Sequence, residues 1–261
     1  MTELFDLDLR AARRDRAFRN GPELFLNERA FEDCLERIAL VDRRFASALL
    51  IGCPDPDWRE RLGSRAERVT ILEPGALFAE AAGARKVVED HWAGSQGHDL
   101  CVAVGTLDTV NDLQRALATI RSSLVADALF IGAMAGGDTL PQLRTAMRAA
   151  DQVEGSAVAH VHPRIEASAL AALLSSAGFA MPVVDVDRVQ ASYASLARLV
   201  ADLRGMGATN ILRARPRQAL SRAAYDAASS AFAASAQGGR TTETFEILHF
   251  AAWTPAGTNQ G

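Results

Sequence analysis

The residues with the clearest chemical potential lie at the ends of apolar runs. The stretch "ALLIGCPDPDW", Ala48 to Trp58, ends a strand-like run in Gly52 and passes into a turn that reads Gly52-x-Pro54-x-Pro56. In open α/β sheets a ligand binds beyond the carboxyl ends of the strands, at the point where strand order reverses. Glycine serves there because it takes positive φ and lets a ligand approach the backbone. Proline fixes φ and has no N–H, so Pro54 and Pro56 remove two potential donors from that turn. An acid about 20 positions further on normally accepts from ribose hydroxyls. Glu73 stands there, ending the next apolar run, and a carboxylate suits a diol because it accepts two hydrogen bonds at once. Asp90 closes the following segment, where an acid can accept from an adenine amino group. The plainer alternative makes Glu73 and Asp90 ordinary polar strand ends. Trp58 can stack on a base, but core packing is its commoner use.

A second group follows the strongest apolar run. In "GAMAGGDTL", Gly136 and Gly137 permit a tight turn, and Asp138 or Thr139 can cap a helix starting at Pro141. Asp138 can alternatively face the pocket. His160 and His162 form a His-x-His pair with no acid or cysteine at metal-site spacing, so no metal is expected. No Gly-x-Ser-x-Gly elbow occurs.

The elements that must carry these residues alternate. Helical spacing predicts helices over 5–18 and 23–40. Short apolar strands follow at "ASALLIG", "RVTILEP", "RKVVED", "HDLCVAVG" and "ADALFIGAM", with helices over 75–82, 111–124, 139–152 and 166–177 between or after them. That alternation predicts βαβ units, a mostly parallel sheet and helices on both faces. The last third differs. A long strand over 182–193 and a final strand over 244–253 enclose helices at 194–205 and 217–235. We expect one domain over 1–255, with N-terminal helices in 1–40, a helical excursion or cap over 194–240, and a disordered tail over 256–261.

Bulk composition narrows the function classes. The 261 residues are 49% hydrophobic and only 6% aromatic, with 23% charged residues and a net charge of −4. An aliphatic, alanine-rich core follows, and no nucleic-acid partner is expected, because such proteins carry a basic stripe. The cluster Arg10, Arg13, Arg14 and Arg16 is interleaved with Asp6, Asp8 and Asp15, which predicts a solvated helix. Three cysteines, Cys34, Cys53 and Cys101, have neither metal-like nor disulfide-like spacing. With no apolar span of membrane length and no recognisable leader, a cytoplasmic location is expected.

Four segments, "FDLDLRAARRDRAFR", "VNDLQRAL", "ALFIGAMAGGDTLPQLR" and "VDVDRVQASYASLARLVADLRGMGATN", resemble class I S-adenosylmethionine-dependent methyltransferases. They resemble most the branch of respiratory complex I assembly factor 5, and also the carrier-protein methyltransferase of biotin synthesis. The resemblance runs from about Phe5 to Trp253. It implies a Rossmann-like sheet of seven strands whose last strand is antiparallel. It implies S-adenosylmethionine as cofactor, with Gly52 as the surviving motif glycine, Glu73 as the ribose acid and Asp90 on the adenine side. It implies a protein partner, a complex I subunit. The family's Gly-x-Gly-x-Gly is Gly-x-Pro-x-Pro here, and its leading acid is Leu50.

Three functions follow as expectations: an enzyme that modifies a protein partner with this cofactor, a non-catalytic assembly chaperone on the same fold, and a small-molecule or carrier-protein methyltransferase. A sulfonium donor is already activated, so such a transferase chiefly aligns donor and acceptor. Asp138 and Tyr193 are the candidate groups beside the acceptor.

Overall fold

A computed structural model of the protein describes residues 3–256. The tail expected to be disordered lies outside the described residues from 257 onward. Strands β1 (Phe45–Ile51), β2 (Ala66–Glu73), β3 (Arg85–Lys86), β4 (His98–Val104), β5 (Leu124–Ala135), β6 (Ala180–Tyr193) and β7 (Thr241–Trp253) form one sheet, ordered β3-β2-β1-β4-β5-β7-β6. Neighbours from β3 to β5 are parallel, and β7 runs antiparallel to β5. The order reverses between β1 and β4, which places the switch point at the end of β1.

Helices α1 (Leu7–Asn20) and α2 (Phe25–Ala39) precede the sheet. Then come α3 (Trp58–Gly63), α4 (Ala76–Ala81), α5 (Leu113–Ser123), α6 (Pro141–Glu154), α7 (Ala167–Ser176), α8 (Leu196–Gly205) and α9 (Arg222–Ala234). Local chemistry sets several starts. Asp6, Asp112, Ser195 and Ser221 each accept from an N–H three residues on, which satisfies one amide that a helix N-terminus leaves unpaired.

The chain divides into two compact units. One holds Leu24–Ala135, Ile165–Asp187 and the chain from Ile247 onward. Its core joins Leu49, Ile51, Cys101, Ala103, Phe130 and Phe250 from the strands to Leu117, Ile120, Leu170 and Leu174 from α5 and α7. Phe130 meets Phe179 and Phe250 with ring centroids 5.0 Å away in each case. β1 and β4 are buried almost throughout, which is why they read as unbroken apolar runs.

The other unit holds the chain up to Glu23, Gly136–Arg164 and Arg188–Glu246. Here α6 packs on α9 through Ala146, Ala150, Ala224 and Ala228, small residues that let the helix backbones approach. Phe5, Ile211 and Leu212 form a satellite cluster, closed by an antiparallel bridge between Phe5 and Leu212. Gly207 ends α8 at φ +68°, and a Cβ there would lie 3.3 Å from the Arg14 Cα.

Two expectations need correction. "RKVVED" gives a strand of only two residues, because Val87, Glu89 and Asp90 turn inward and are buried. β3 is a sheet edge, and a short edge leaves little unpaired backbone. The solvated first helix is wrong for two of its arginines, since Arg10 and Arg14 are buried.

Candidate functional site

The turn after β1 is closed by its own chain. Gly52 has φ +84°, and a Cβ there would sit 2.4 Å from the Val104 carbonyl oxygen and 2.7 Å from Thr106 Cγ2. Only glycine fits, and the contact that excludes a side chain comes from the β4 end rather than from a ligand. Pro54 is buried inside the turn, while Pro56 is exposed on the approach to α3. Of the two prolines, only the first is enclosed by the fold. Trp58 is fully buried and stacks on Phe31, with centroids 4.1 Å apart and planes 8° from parallel. Its indole N–H donates to Glu28, and Arg61 lies 4.9 Å above the Phe31 ring. The tryptophan is a core residue.

Glu73 is 0% exposed. One carboxylate oxygen accepts from the Cys53 amide at 2.9 Å, the other from the Gly75 amide at 2.8 Å. The acid placed to take a ribose diol therefore ties the β1 turn to the start of α4. Asp90 is also buried and doubly engaged: one oxygen accepts from the Asp112 amide at 2.8 Å, and the other lies 2.9 Å from His91 Nδ1. It anchors the start of α5. Gly52, Glu73 and Asp90 are thus brought to one end of the sheet, as expected. Each acid has two of its roughly four acceptor positions engaged by the chain. The two acids present their oxygens to the chain, and Pro54 supplies no amide.

Asp138 and Tyr193 belong to the other unit. Asp138 is exposed in a turn, and its amide donates to Glu246 Oε1 at 3.4 Å. Tyr193 is 5% exposed. Its hydroxyl lies near Asp202 without the geometry of a hydrogen bond. Burial first, then the charges of Asp202, Glu23 and Glu243, push the phenol above its ordinary range.

Neither Asp138 nor Thr139 caps α6. Leu140 holds the N-cap position in the left-handed region, at φ 62°, with no side-chain cap. The free amides of α6 are met from a distant strand: Glu243 accepts from Gln142 at 3.2 Å and from Leu143 at 2.8 Å. Burial pushes the Glu243 carboxyl upward, against the amides and Arg144 that favour its charge. Thr139 instead exchanges two bonds with Glu246, and Glu246 also pairs with Arg188 at 3.1 Å. Sequence reading missed Glu243 and Glu246. Their signal was two acids inside an otherwise apolar strand, "TTETFEILHF".

His160 and His162 serve separate partners. His160 pairs with Asp151 at 2.8 Å, whereas His162 accepts from the Ile211 amide at 2.9 Å. Among the described residues no helix is long and apolar enough to cross a membrane.

Comparison with known proteins gives a consistent family. The chain is 31% identical over 243 residues to the zebrafish (Danio rerio) protein named arginine-hydroxylase NDUFAF5, mitochondrial, covering 88% of this chain and 75% of that one. It is 30% identical to a malonyl-(acyl-carrier protein) O-methyltransferase of Nitrosospira multiformis, over 77% of this chain and 61% of that one. Among solved structures, YcgJ of Bacillus subtilis matches with a TM-score of 0.58 at 8% identity, over 87% of this chain and all of that one. The N-methyltransferase NodS of Bradyrhizobium japonicum, solved with S-adenosyl-L-homocysteine, matches with a TM-score of 0.53 at 13% identity, over 94% and 98%. No family profile matches.

Proposed function

The chain belongs to the class I S-adenosylmethionine-dependent methyltransferase family, close to the NDUFAF5 proteins, and on that premise we propose that it works on a protein partner in respiratory complex I maturation through a fold whose cofactor turn is closed. The observation that carries this reading is Glu73. Its side chain has no exposed surface, and both oxygens already accept from backbone amides. A nucleoside can reach Glu73 only if the cover over it opens, and any amide displaced from the carboxylate in that opening would cost about 1–3 kcal/mol. S-adenosylmethionine therefore binds weakly or not at all, and the fold acts as an assembly surface.

The relatives' name points to an arginine-bearing segment as the element received. Tyr193 is buried, but Glu23 and Asp202, whose charges act on it, are partly exposed and suit a guanidinium. Asp138, exposed in the same unit, is the other candidate contact.

A second reading, an active transferase, is favoured by Gly52 alone, which keeps the positive φ that cofactor turns use. Titration calorimetry of the full chain with S-adenosylmethionine separates the two. No heat of binding is expected. Saturable binding that Glu73→Ala abolishes would replace the first reading with the second. Co-purification of a complex I subunit tests the partner, and methyl transfer to a carrier protein instead would overturn it.

A further inference from the structure

Away from the β1 turn, His162 is 4% exposed in the unit that contains α6, α8 and α9. Phe5 meets its ring edge-on at 5.4 Å. The Ile211 amide donates to Nε2 at 2.9 Å, a closer contact than the 3.3 Å one at Nδ1, and so favours an unprotonated Nε2. A ring nitrogen that accepts carries no proton, so the proton of the neutral imidazole is on Nδ1. Burial, then the charges of Arg13 and Arg144, push the ring's pKa down to about 4, so it is neutral at ordinary pH.

What faces Nδ1–H is Arg164 Nη2, 3.3 Å away. A guanidinium only donates. Two donors confront one another, and an acceptor placed beside both would satisfy them. Arg164 has a further partner, and its five N–H groups let it serve both.

His162 and Arg164 both line a cavity of about 180 Å³. Leu143, Met147, Val200 and Leu203 give it apolar walls, and no acid is among its described lining residues. Leu140, also in the lining, holds the left-handed conformation, which costs a residue with a Cβ about 1–2 kcal/mol. Such strain persists where the surroundings enforce it, often at ligand sites. The cavity therefore has one donor-rich, cationic end and an apolar body. At roughly 30 Å³ per water-sized group, it takes about six heavy atoms.

We propose that this cavity binds a short-chain carboxylate, whose oxygens accept from His162 Nδ1 and Arg164 Nη2 while its alkyl chain lies against Leu143, Met147 and Leu203. The proposal is independent of the complex I reading and of the cofactor turn. Calorimetry of the full chain with butyrate, butyramide and inorganic phosphate tests it. Butyrate should bind about tenfold or more tightly than butyramide, which has the same shape without the charge. It should also bind more tightly than phosphate, which has no apolar body. Equal affinity for butyrate and butyramide, preference for phosphate, or no binding of butyrate overturns the proposal. Val200→Phe, which fills the cavity, should abolish butyrate binding with unchanged far-ultraviolet circular dichroism; retained binding overturns it. Nitrogen NMR of the unmodified protein gives a check that needs no variant. The His162 ring should show a protonated Nδ1 that shifts on adding butyrate, and a protonated Nε2 in the free protein would refute the argument.

Discussion

At the scale of single residues, the turn after β1 is governed by one carboxylate. Glu73 accepts from two buried amides, those of Cys53 and Gly75, and a carboxylate with no exposed surface behaves as a staple. Replacing it by alanine removes both of these bonds from a buried site, so Glu73→Ala should lose about 3 kcal/mol in urea denaturation without any ligand. A residue kept only for a cofactor would leave the ligand-free stability unchanged. His162 makes a pH-dependent contribution. Its pKa falls from 6.5 to about 4 on folding. Above 6.5 neither state is protonated, and the full stability is present. As pH falls below 6.5 the unfolded chain takes up a proton that the folded ring refuses, and stability drops until about pH 4. The loss is on the order of 3 kcal/mol. Other groups titrate in that window, so the measurement is the difference between the native protein and His162→Gln from neutral pH to about 4. The native protein should lose more stability than the variant by that amount.

Among the elements, α6 shows how a long-range contact replaces a local cap. Its preceding residues include Asp138 and Thr139, both good caps by type, yet the chain turns left-handed at Leu140 and the first amides point at Glu243 on β7. A negative charge at a helix N-terminus is favourable both as an acceptor and against the helix dipole. Glu243→Gln would set an NH₂ group against amides that need an acceptor. We expect a cost of about 2 kcal/mol, read by thermal or urea unfolding. An unchanged midpoint would mean that water can take the carboxylate's place. The first helix illustrates the reverse error. Its alternating charges looked solvated, but Gly207 brings the α8 terminus against Arg14, and Arg10 is buried as well.

For the whole molecule, the two units differ in construction. The sheet unit has a continuous core of large aliphatic and aromatic residues, whereas in the other α6 and α9 bury mainly alanines, beside a leucine-faced α8 and a small satellite cluster. Local opening is easiest where few apolar contacts are broken. Hydrogen exchange should therefore find its slowest amides in Phe45–Ile51 and His98–Val104. It should find much faster exchange in Arg222–Ala234. Equal protection of those segments would show that the chain opens only as one piece.

The sequence by itself determined the alternation of strands and helices, the switch point at Gly52, the antiparallel closing strand expected from the family resemblance, and the gathering of Gly52, Glu73 and Asp90 at one sheet end. Apart from the direction of the closing strand, which came from the resemblance, these follow from local periodicity and from glycine's freedom at positive φ, which are properties of neighbouring residues. It also marked Pro54 and Pro56 as obstacles in that turn, and the fold buries only Pro54. Only the tertiary structure decided where the acids spend their hydrogen bonds: Glu73 on Cys53 and Gly75, Asp90 on Asp112, Glu243 on the start of α6. Only it set His162 against Arg164 beside an apolar cavity. A carboxylate or an imidazole can accept from any donor the fold brings near. Which donor that is depends on segments as far apart as Leu143 and Glu243, and no local pattern encodes their meeting.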